Sequence, residues 1–128
     1  EIVQKDAGIL DMGCAGGILL DFLKKSGYKR VAGLDPSEDC VKNMLDKGIE
    51  SYLGSIYLEN PIIPEKSFDL IILSGVMEHL FDLQKAVQAL GRYLRDNGKI
   101  FIAVPDAARY GDYFNSISYS STCKKGEL

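Results

Sequence analysis

Apolar residues along the chain fall into two kinds of run, short continuous stretches and longer stretches with helical spacing. The short runs predict five strands, at 8–12, 30–34, 49–53, 67–74 and 99–105. Apolar residues three and four positions apart predict helices, over 17–26, 38–47 and 83–95. Alternation of strand and helix predicts an α/β fold, a doubly wound sheet with right-handed crossovers and strand order 3-2-1-4-5.

The fourth run, from Phe68 to Leu73, is almost continuously apolar, which is typical of a strand buried on both faces of a parallel sheet. It is therefore predicted to lie at the sheet centre, beside the first strand. Asp82 is predicted to cap the third helix, and Asn97-Gly98 to turn the chain into the fifth strand. The apolar stripes of the three helices are expected to face the core. They are Leu19, Phe22 and Leu23; Val41, Met44 and Leu45; and Leu83, Ala86, Val87, Leu90 and Leu94.

A turn rich in small residues follows the first strand. Asp11 precedes Gly13, Ala15, Gly16 and Gly17. Such a turn needs backbone conformations closed to residues with a Cβ, and it lets a ligand approach the main chain. The helix behind it presents free N–H groups to that ligand. The spacing does not match G-x-G-x-x-G, the pattern of dinucleotide-binding turns.

The turn resembles the D-x-G-x-G-x-G motif of class I S-adenosylmethionine-dependent methyltransferases, with Ala15 in place of the middle glycine. The F-D-L-I-I run at 68–72 and the V-x-E-H run at 76–79 resemble later landmarks of the same family. The resemblance covers residues 8–106. It implies a Rossmann-like domain over 1–128 that binds S-adenosylmethionine and methylates a small molecule.

The resemblance also assigns the first part of a site. Asp11 and the turn, including Gly13, Cys14, Ala15 and Gly17, would hold the methionine part of the cofactor. Asp35 ends the second predicted strand 18 positions after Gly17, where an acid accepts hydrogen bonds from ribose hydroxyls. Pro36 follows it in the predicted site. The alternative is that Asp35 caps the second helix, although Ser37 can take that role.

Three further positions complete the predicted cofactor site. Ser55 and Ile56 stand where the family usually carries an adenine-binding acid and an apolar neighbour, so Ser55 is a departure from the pattern. The alternative is a loop serine and a core isoleucine. Ser74 is predicted to line the methyl side.

His79 is the only histidine of the chain, and its ordinary pKa, about 6.5, suits proton transfer near neutrality. It is predicted to act as a general base towards the methyl acceptor. The alternative is that Glu78 and His79 hydrogen-bond the loop in place.

Composition narrows the function classes. The 128 residues suit one domain, and the net charge of -3 without a basic stripe disfavours a nucleic-acid partner. Apolar runs are far shorter than a membrane span. Three cysteines without C-x-x-C spacing argue against a disulfide framework and a metal site, and favour the cytoplasm.

The ends of the sequence carry less signal. Residues 106–128 are predicted to be a flexible tail or a flap over the acceptor, and the family's terminal antiparallel strands are missing, so the chain looks truncated. The free edge of the fifth strand is then expected to be covered by the tail or by a second copy, as in a homodimer. Two other functions stay open, a non-catalytic nucleoside-binding module or methyltransferase remnant, and an NAD-dependent oxidoreductase without an evident Tyr-x-x-x-Lys set.

Overall fold

The computed structural model describes residues 2–106, which form a five-stranded parallel sheet with helices on both faces. The strands are β1 (Gly8–Met12), β2 (Arg30–Asp35), β3 (Glu50–Leu53), β4 (Phe68–Ser74) and β5 (Leu94–Ala103). The helices are α1 (Ile18–Lys25), α2 (Glu38–Asp46) and α3 (Leu83–Tyr93), with a 3-10 turn at Met77–His79. Every strand pair is parallel and the order is β3-β2-β1-β4-β5, as predicted. The predicted tail lies almost wholly outside the described residues.

Two clusters of buried side chains hold the sheet between its helices. One joins the sheet to α1 and α2 through Ile9, Leu20, Val31, Met44 and Ile72. The other joins it to α3 through Leu10, Leu34, Ile71, Leu73 and Leu90. All of β1 is buried, and β4 is buried from Leu70 to Leu73. The predicted place of β4 beside β1 is confirmed, although β1 is the middle strand of the five.

The helices bury less of their predicted stripes than expected. In α1 only Leu20 is buried, and Phe22 is 65% exposed. Leu19 and Leu23 line an open apolar groove that reaches Phe101 on β5, because no described element covers the β5 side of α1. The other predicted core residues that are exposed are Leu45, Leu83 and Val87. In α3 the buried residues are Ala86, Ala89, Leu90 and Tyr93.

The junction between α3 and β5 also differs from the prediction. The helix ends at Tyr93, and β5 begins at Leu94, so Leu94 and Arg95 belong to the strand. The cause is an anchored Tyr93, whose carbonyl accepts the N–H of Ser67 at 3.0 Å beside the start of β4. Asn97 and Gly98 lie within β5, at an irregularity in its pairing with β4 rather than in a separate turn.

Asp69 fastens the amino ends of three strands. One carboxylate oxygen accepts the N–H of Gly8 at 2.7 Å, and the other accepts from the Arg95 guanidinium at 2.8 Å. Desolvation acts to raise the pKa of Asp69, but the N–H of Gly8 and the charges of Arg95 and Arg30 outweigh it and lower that pKa. This contact, which we call the Asp69 clasp, ties β1, β4 and β5 together at the edge opposite the predicted site.

Candidate functional site

The predicted cofactor residues meet at one edge of the sheet. All five strands are parallel, so their carboxyl ends lie together. The structure places there the glycine-rich turn after β1, Asp35 at the end of β2, the loop after β3 with Ser55, and Ser74 at the end of β4. The structure therefore brings these predicted segments together at one edge, and their role in binding a cofactor stays a prediction.

Asp35 connects the glycine-rich turn to β2. It is 7% exposed, and its carboxylate accepts the N–H of Ala15 at 2.9 Å and the N–H of Ser37 at 2.9 Å. Ser37 is the N-cap of α2 and accepts from the N–H of Cys40 at 3.4 Å, so the helix cap and Asp35 are separate groups. A carboxylate has about four lone-pair sites, which leaves acceptor capacity on Asp35 for ribose hydroxyls.

The glycines of the turn serve two purposes. Gly13 and Gly17 both have φ of +73°, and an added Cβ would lie 2.7 Å from Val76 on Gly13 and 2.6 Å from Met44 on Gly17. These two glycines are thus required by packing within the protein. Gly16 has no atom within 4 Å of an added Cβ, so a ligand can approach the main chain there.

Ala15, the departure from the family motif, is also in the left-handed region, with φ of +47°. That conformation costs a residue with a Cβ about 1–2 kcal/mol. It directs the N–H of Ala15 at Asp35. The same turn is held by Lys47, the residue that follows α2, which donates to the carbonyl of Gly16 at 2.5 Å.

The side chain of Cys14 belongs to the core. Its Sγ lies 3.4 Å from the carbonyl oxygen of Leu34, to which it donates, and 3.2 Å from Sδ of Met44. Burial, with the charges of Asp11 and Asp35, raises the pKa of the thiol to about 12. A ligand could therefore meet only the main chain of Cys14, and that contact stays a prediction, as it does for the exposed Pro36.

Asp11 is the most buried acid of the described chain, at 4% exposed. Within residues 2–106 its carboxylate has no hydrogen bond or ion pair. Burial and then the charge of Asp35 raise the pKa of Asp11 to about 7. The two carboxylates, which we call the acid pair, stand on neighbouring strands beneath the glycine-rich turn.

The predicted adenine corner is partly occupied by local contacts. Ser55 accepts the N–H of Tyr57 at 3.2 Å, and Ile56 is half-buried against the α3-side cluster. Sequence reasoning missed an aromatic pair beside this corner. Tyr57 and Phe81 have ring centroids 4.6 Å apart, and the N–H of Phe81 donates to the Tyr57 hydroxyl at 3.1 Å. The sequence feature that could have pointed to this pair is the position of Tyr57 directly after Ile56.

The segment after β4 carries the predicted general base. Ser74 is exposed at the strand end, and His79 is exposed in the 3-10 turn, where its main-chain N–H donates to the Val76 carbonyl at 3.0 Å. The side chains of Glu78 and His79 make no hydrogen bond or ion pair to any described residue, so the loop-holding alternative is not found there. General-base catalysis by His79 stays a prediction.

No cluster of three His, Cys, Asp or Glu side chains that could hold a metal ion occurs within residues 2–106. No helix among the same residues has the length and apolar character needed to cross a membrane.

Comparison with known proteins agrees with this architecture. A family profile described as "Methyltransferase domain" matches residues 3–126. The mitochondrial ubiquinone biosynthesis O-methyltransferase of Homo sapiens is 34% identical over 105 residues, which are 73% of this chain and 27% of that protein. The Salmonella enteritidis protein of corresponding name is 29% identical over 100 residues, or 74% of this chain and 41% of that protein.

A solved structure shows the same fold. The TehB-like SAM-dependent methyltransferase from Corynebacterium glutamicum superposes with a TM-score of 0.70 and 26% identity, covering 88% of this chain and 64% of that one. The chain spans between about a quarter and two fifths of the curated relatives named above. The profile matches nearly the whole sequence, and the strand order is the predicted one. The chain therefore belongs to the methyltransferase-domain family, and the resemblance to class I S-adenosylmethionine-dependent methyltransferases is confirmed.

Proposed function

We propose that this chain binds S-adenosylmethionine and transfers its methyl group to a small-molecule acceptor. The observation that carries the proposal is the juxtaposition of an open main-chain position at Gly16 with Asp35, at the carboxyl edge of a sheet of this family. The family match favours this function over a nicotinamide-dependent oxidoreductase, as does the lack of G-x-G-x-x-G spacing.

The residues present fit the cofactor in three respects. The main chain at Gly16 is open to a ligand, Asp35 retains acceptor capacity, and the buried acids Asp11 and Asp35 lie on neighbouring strands at the ends next to the turn. In this proposal Asp11 and residues 13–17 hold the methionine part, Asp35 the ribose, and Ser55 with Ile56 the adenine. When bound, S-adenosylmethionine supplies an electrophilic methyl group on a sulfonium. The task of the protein is then orientation, which can contribute roughly 7–11 kcal/mol to lowering the barrier.

The acceptor side is proposed to lie between Ser74 and the Tyr57–Phe81 pair. Phe81 is 88% exposed and supplies an apolar face at the edge of the site. Two relatives are named as O-methyltransferases of ubiquinone biosynthesis, so a hydroxyl is the proposed acceptor group. His79 would remove its proton. A cytoplasmic location is part of the same proposal.

Calorimetric titration with S-adenosylhomocysteine, with NAD as the comparison ligand, tests the cofactor assignment. We expect micromolar binding of the first and none of the second. Asp35→Ala should weaken binding more than tenfold because charge-assisted contacts to the ribose are lost. Asp39→Ala, which removes an exposed acid of α2, is the matched control. Equal affinity of Asp35→Ala and the control would remove Asp35 from the site.

Turnover is tested separately, with a panel of hydroxylated acceptors. His79→Gln should keep the affinity for S-adenosylhomocysteine and lower the rate of methyl transfer, because the exposed His79 has no bond to the described residues that the change would break. Binding without turnover on any acceptor would favour the non-catalytic module.

A further inference from the structure

The loop after β3 is tied to the end of β2 and folds back on itself. The N–H of Gly54 donates to the carbonyl of Asp35 at 3.1 Å. Ser55 closes a tight turn, since its Oγ accepts the N–H of Tyr57 at 3.2 Å and its carbonyl accepts the N–H of Leu58 at 3.2 Å. A ligand that contacts Asp35 and Ser55 would therefore restrain the main chain of Tyr57.

The segment after β4, residues 75–82, includes the predicted general base and lies beside this loop. Val76 and Met77 pack against the same buried α3-side cluster as Ile56 does. The 3-10 turn is closed by its own main chain, because the N–H of His79 donates to the Val76 carbonyl at 3.0 Å. This bond shapes the turn, but it does not attach the turn to the loop after β3.

Phe81 joins the two segments through Tyr57. Its N–H donates to the Tyr57 hydroxyl at 3.1 Å, and the two rings lie 4.6 Å apart at an angle of 40°, an attractive geometry for an aromatic pair. Within residues 2–106 this is the only hydrogen bond between residues 54–58 and residues 75–82. Phe81 is 88% exposed, so burial does not fix it in place. Its position therefore depends on Tyr57.

We propose that Tyr57 is a positioning residue for methyl transfer, whose hydroxyl couples the loop that meets the cofactor to the segment that carries His79. The inference rests on the proposed function. The segment has two states, one with the Phe81 N–H bonded to Tyr57 and one with that bond broken. A cofactor at Ser55 and Ile56 restrains the loop, so the bond to Phe81 forms at a smaller entropic cost. Cofactor binding then favours the bonded state and keeps His79 at the acceptor side.

Amide hydrogen exchange of the whole chain, followed by NMR with and without saturating S-adenosylhomocysteine, tests the coupling. In the wild type we expect the ligand to slow exchange in residues 77–82 by roughly fivefold or more, the range typical of coupled sites. Tyr57→Phe keeps the ring but removes the oxygen that accepts the Phe81 N–H. This variant should keep its affinity for S-adenosylhomocysteine, and the ligand should no longer slow exchange in the segment.

Tyr28→Phe is the matched control, because it removes the same hydroxyl from a ring that lies against Lys5, just before the start of β2. It should behave as the wild type. A purely structural role of Tyr57 would change exchange equally with and without ligand, and direct contact of the ligand with residues 77–82 would leave the slowing intact in Tyr57→Phe.

Either of those results, or wild-type binding that does not slow exchange in the segment, would overturn the inference and leave the proposed function standing. Absence of binding by the wild type would overturn both.

Discussion

At the scale of single residues, Gly13 separates two explanations of a glycine-rich turn. The sequence suggests that its missing side chain makes room for a ligand, whereas the structure puts Val76 within 2.7 Å of an added Cβ. We expect Gly13→Ala to lower the free energy of unfolding by about 1–3 kcal/mol, from overpacking and a left-handed φ. Chemical denaturation measures this loss.

A double variant distinguishes the two causes. Val76→Ala removes the atom that an added Cβ would meet, so Gly13→Ala should cost less stability in that background, and only the conformational penalty should remain. If Gly13→Ala weakens the binding of S-adenosylhomocysteine and the double variant regains it, the glycine is required for packing against Val76. A folded double variant that does not bind would assign the space to the ligand instead.

The acid pair also predicts how stability depends on pH. The pKa of Asp11 is near 3.8 in the unfolded chain and about 7 in the folded one, so between these values the folded state holds the extra proton. Stability from this group is therefore complete below pH 3.8 and is lost as pH rises towards 7, by at most about 1.4 kcal/mol per pH unit.

Denaturation of wild type and Asp11→Asn across this range measures the effect. The difference in unfolding free energy should shift in favour of the variant as pH rises. A difference that does not change with pH would mean that Asp11 is ionised throughout.

At the scale of elements, the start of α3 is set by one capping side chain. Asp82 accepts the N–H of Lys85 at 3.0 Å, as the sequence predicted. Asp82→Ala should destabilise the protein by about 1 kcal/mol, while Asp82→Ser, which keeps a capping oxygen, should lose much less. Equal losses in thermal denaturation would show that the cap contributes little and that Ala86 and Leu90 alone hold the helix.

Elements and their order could be predicted because local patterns determine them. Strand β1 begins and ends as predicted, and the burial of β4 follows from its continuous apolar run. The start of β5 could not be predicted from the sequence because it depends on contacts of Tyr93 with the distant segment before β4. The carbonyl of Tyr93 accepts the N–H of Ser67, and its hydroxyl accepts the N–H of Asn60 at 2.7 Å. Helix spacing also identifies an apolar face without showing whether anything covers it, as Phe22 and Val87 demonstrate.

In the candidate site, too, local patterns could be predicted and contacts between distant segments could not. The sequence predicted that Asp35 and the turn lie together, since parallel strands bring their carboxyl ends to one edge. It could not reveal that Asp35 accepts the N–H of Ala15, that Cys14 faces the core, or that Tyr57 meets Phe81, because each contact joins segments far apart in the sequence.

At the scale of the whole molecule, β5 is an exposed apolar edge of the described sheet. Ile100, Phe101 and Ile102 are each 40–49% exposed, and an uncovered apolar edge strand promotes association. The sequence predicts that residues after 106 or a second copy cover this edge. Phe101→Lys should reduce self-association in sedimentation experiments, while Ile62→Lys, an exposed apolar position in a loop, should not. A wild-type chain that stays monomeric at every concentration would exclude the second copy.

The Asp69 clasp has a consequence for how this domain can be altered. It lies at the amino ends of the strands, about 10 Å from Asp11 along β1. Substitutions at that distance usually add independently to changes elsewhere. Variants of Asp69 and Arg95 should therefore lower the free energy of unfolding by different amounts and leave ligand affinity unchanged. The stability of the domain could then be varied independently of its binding site. Substitutions of Asp35 cannot be separated in this way, because one carboxylate both shapes the turn and faces the ligand.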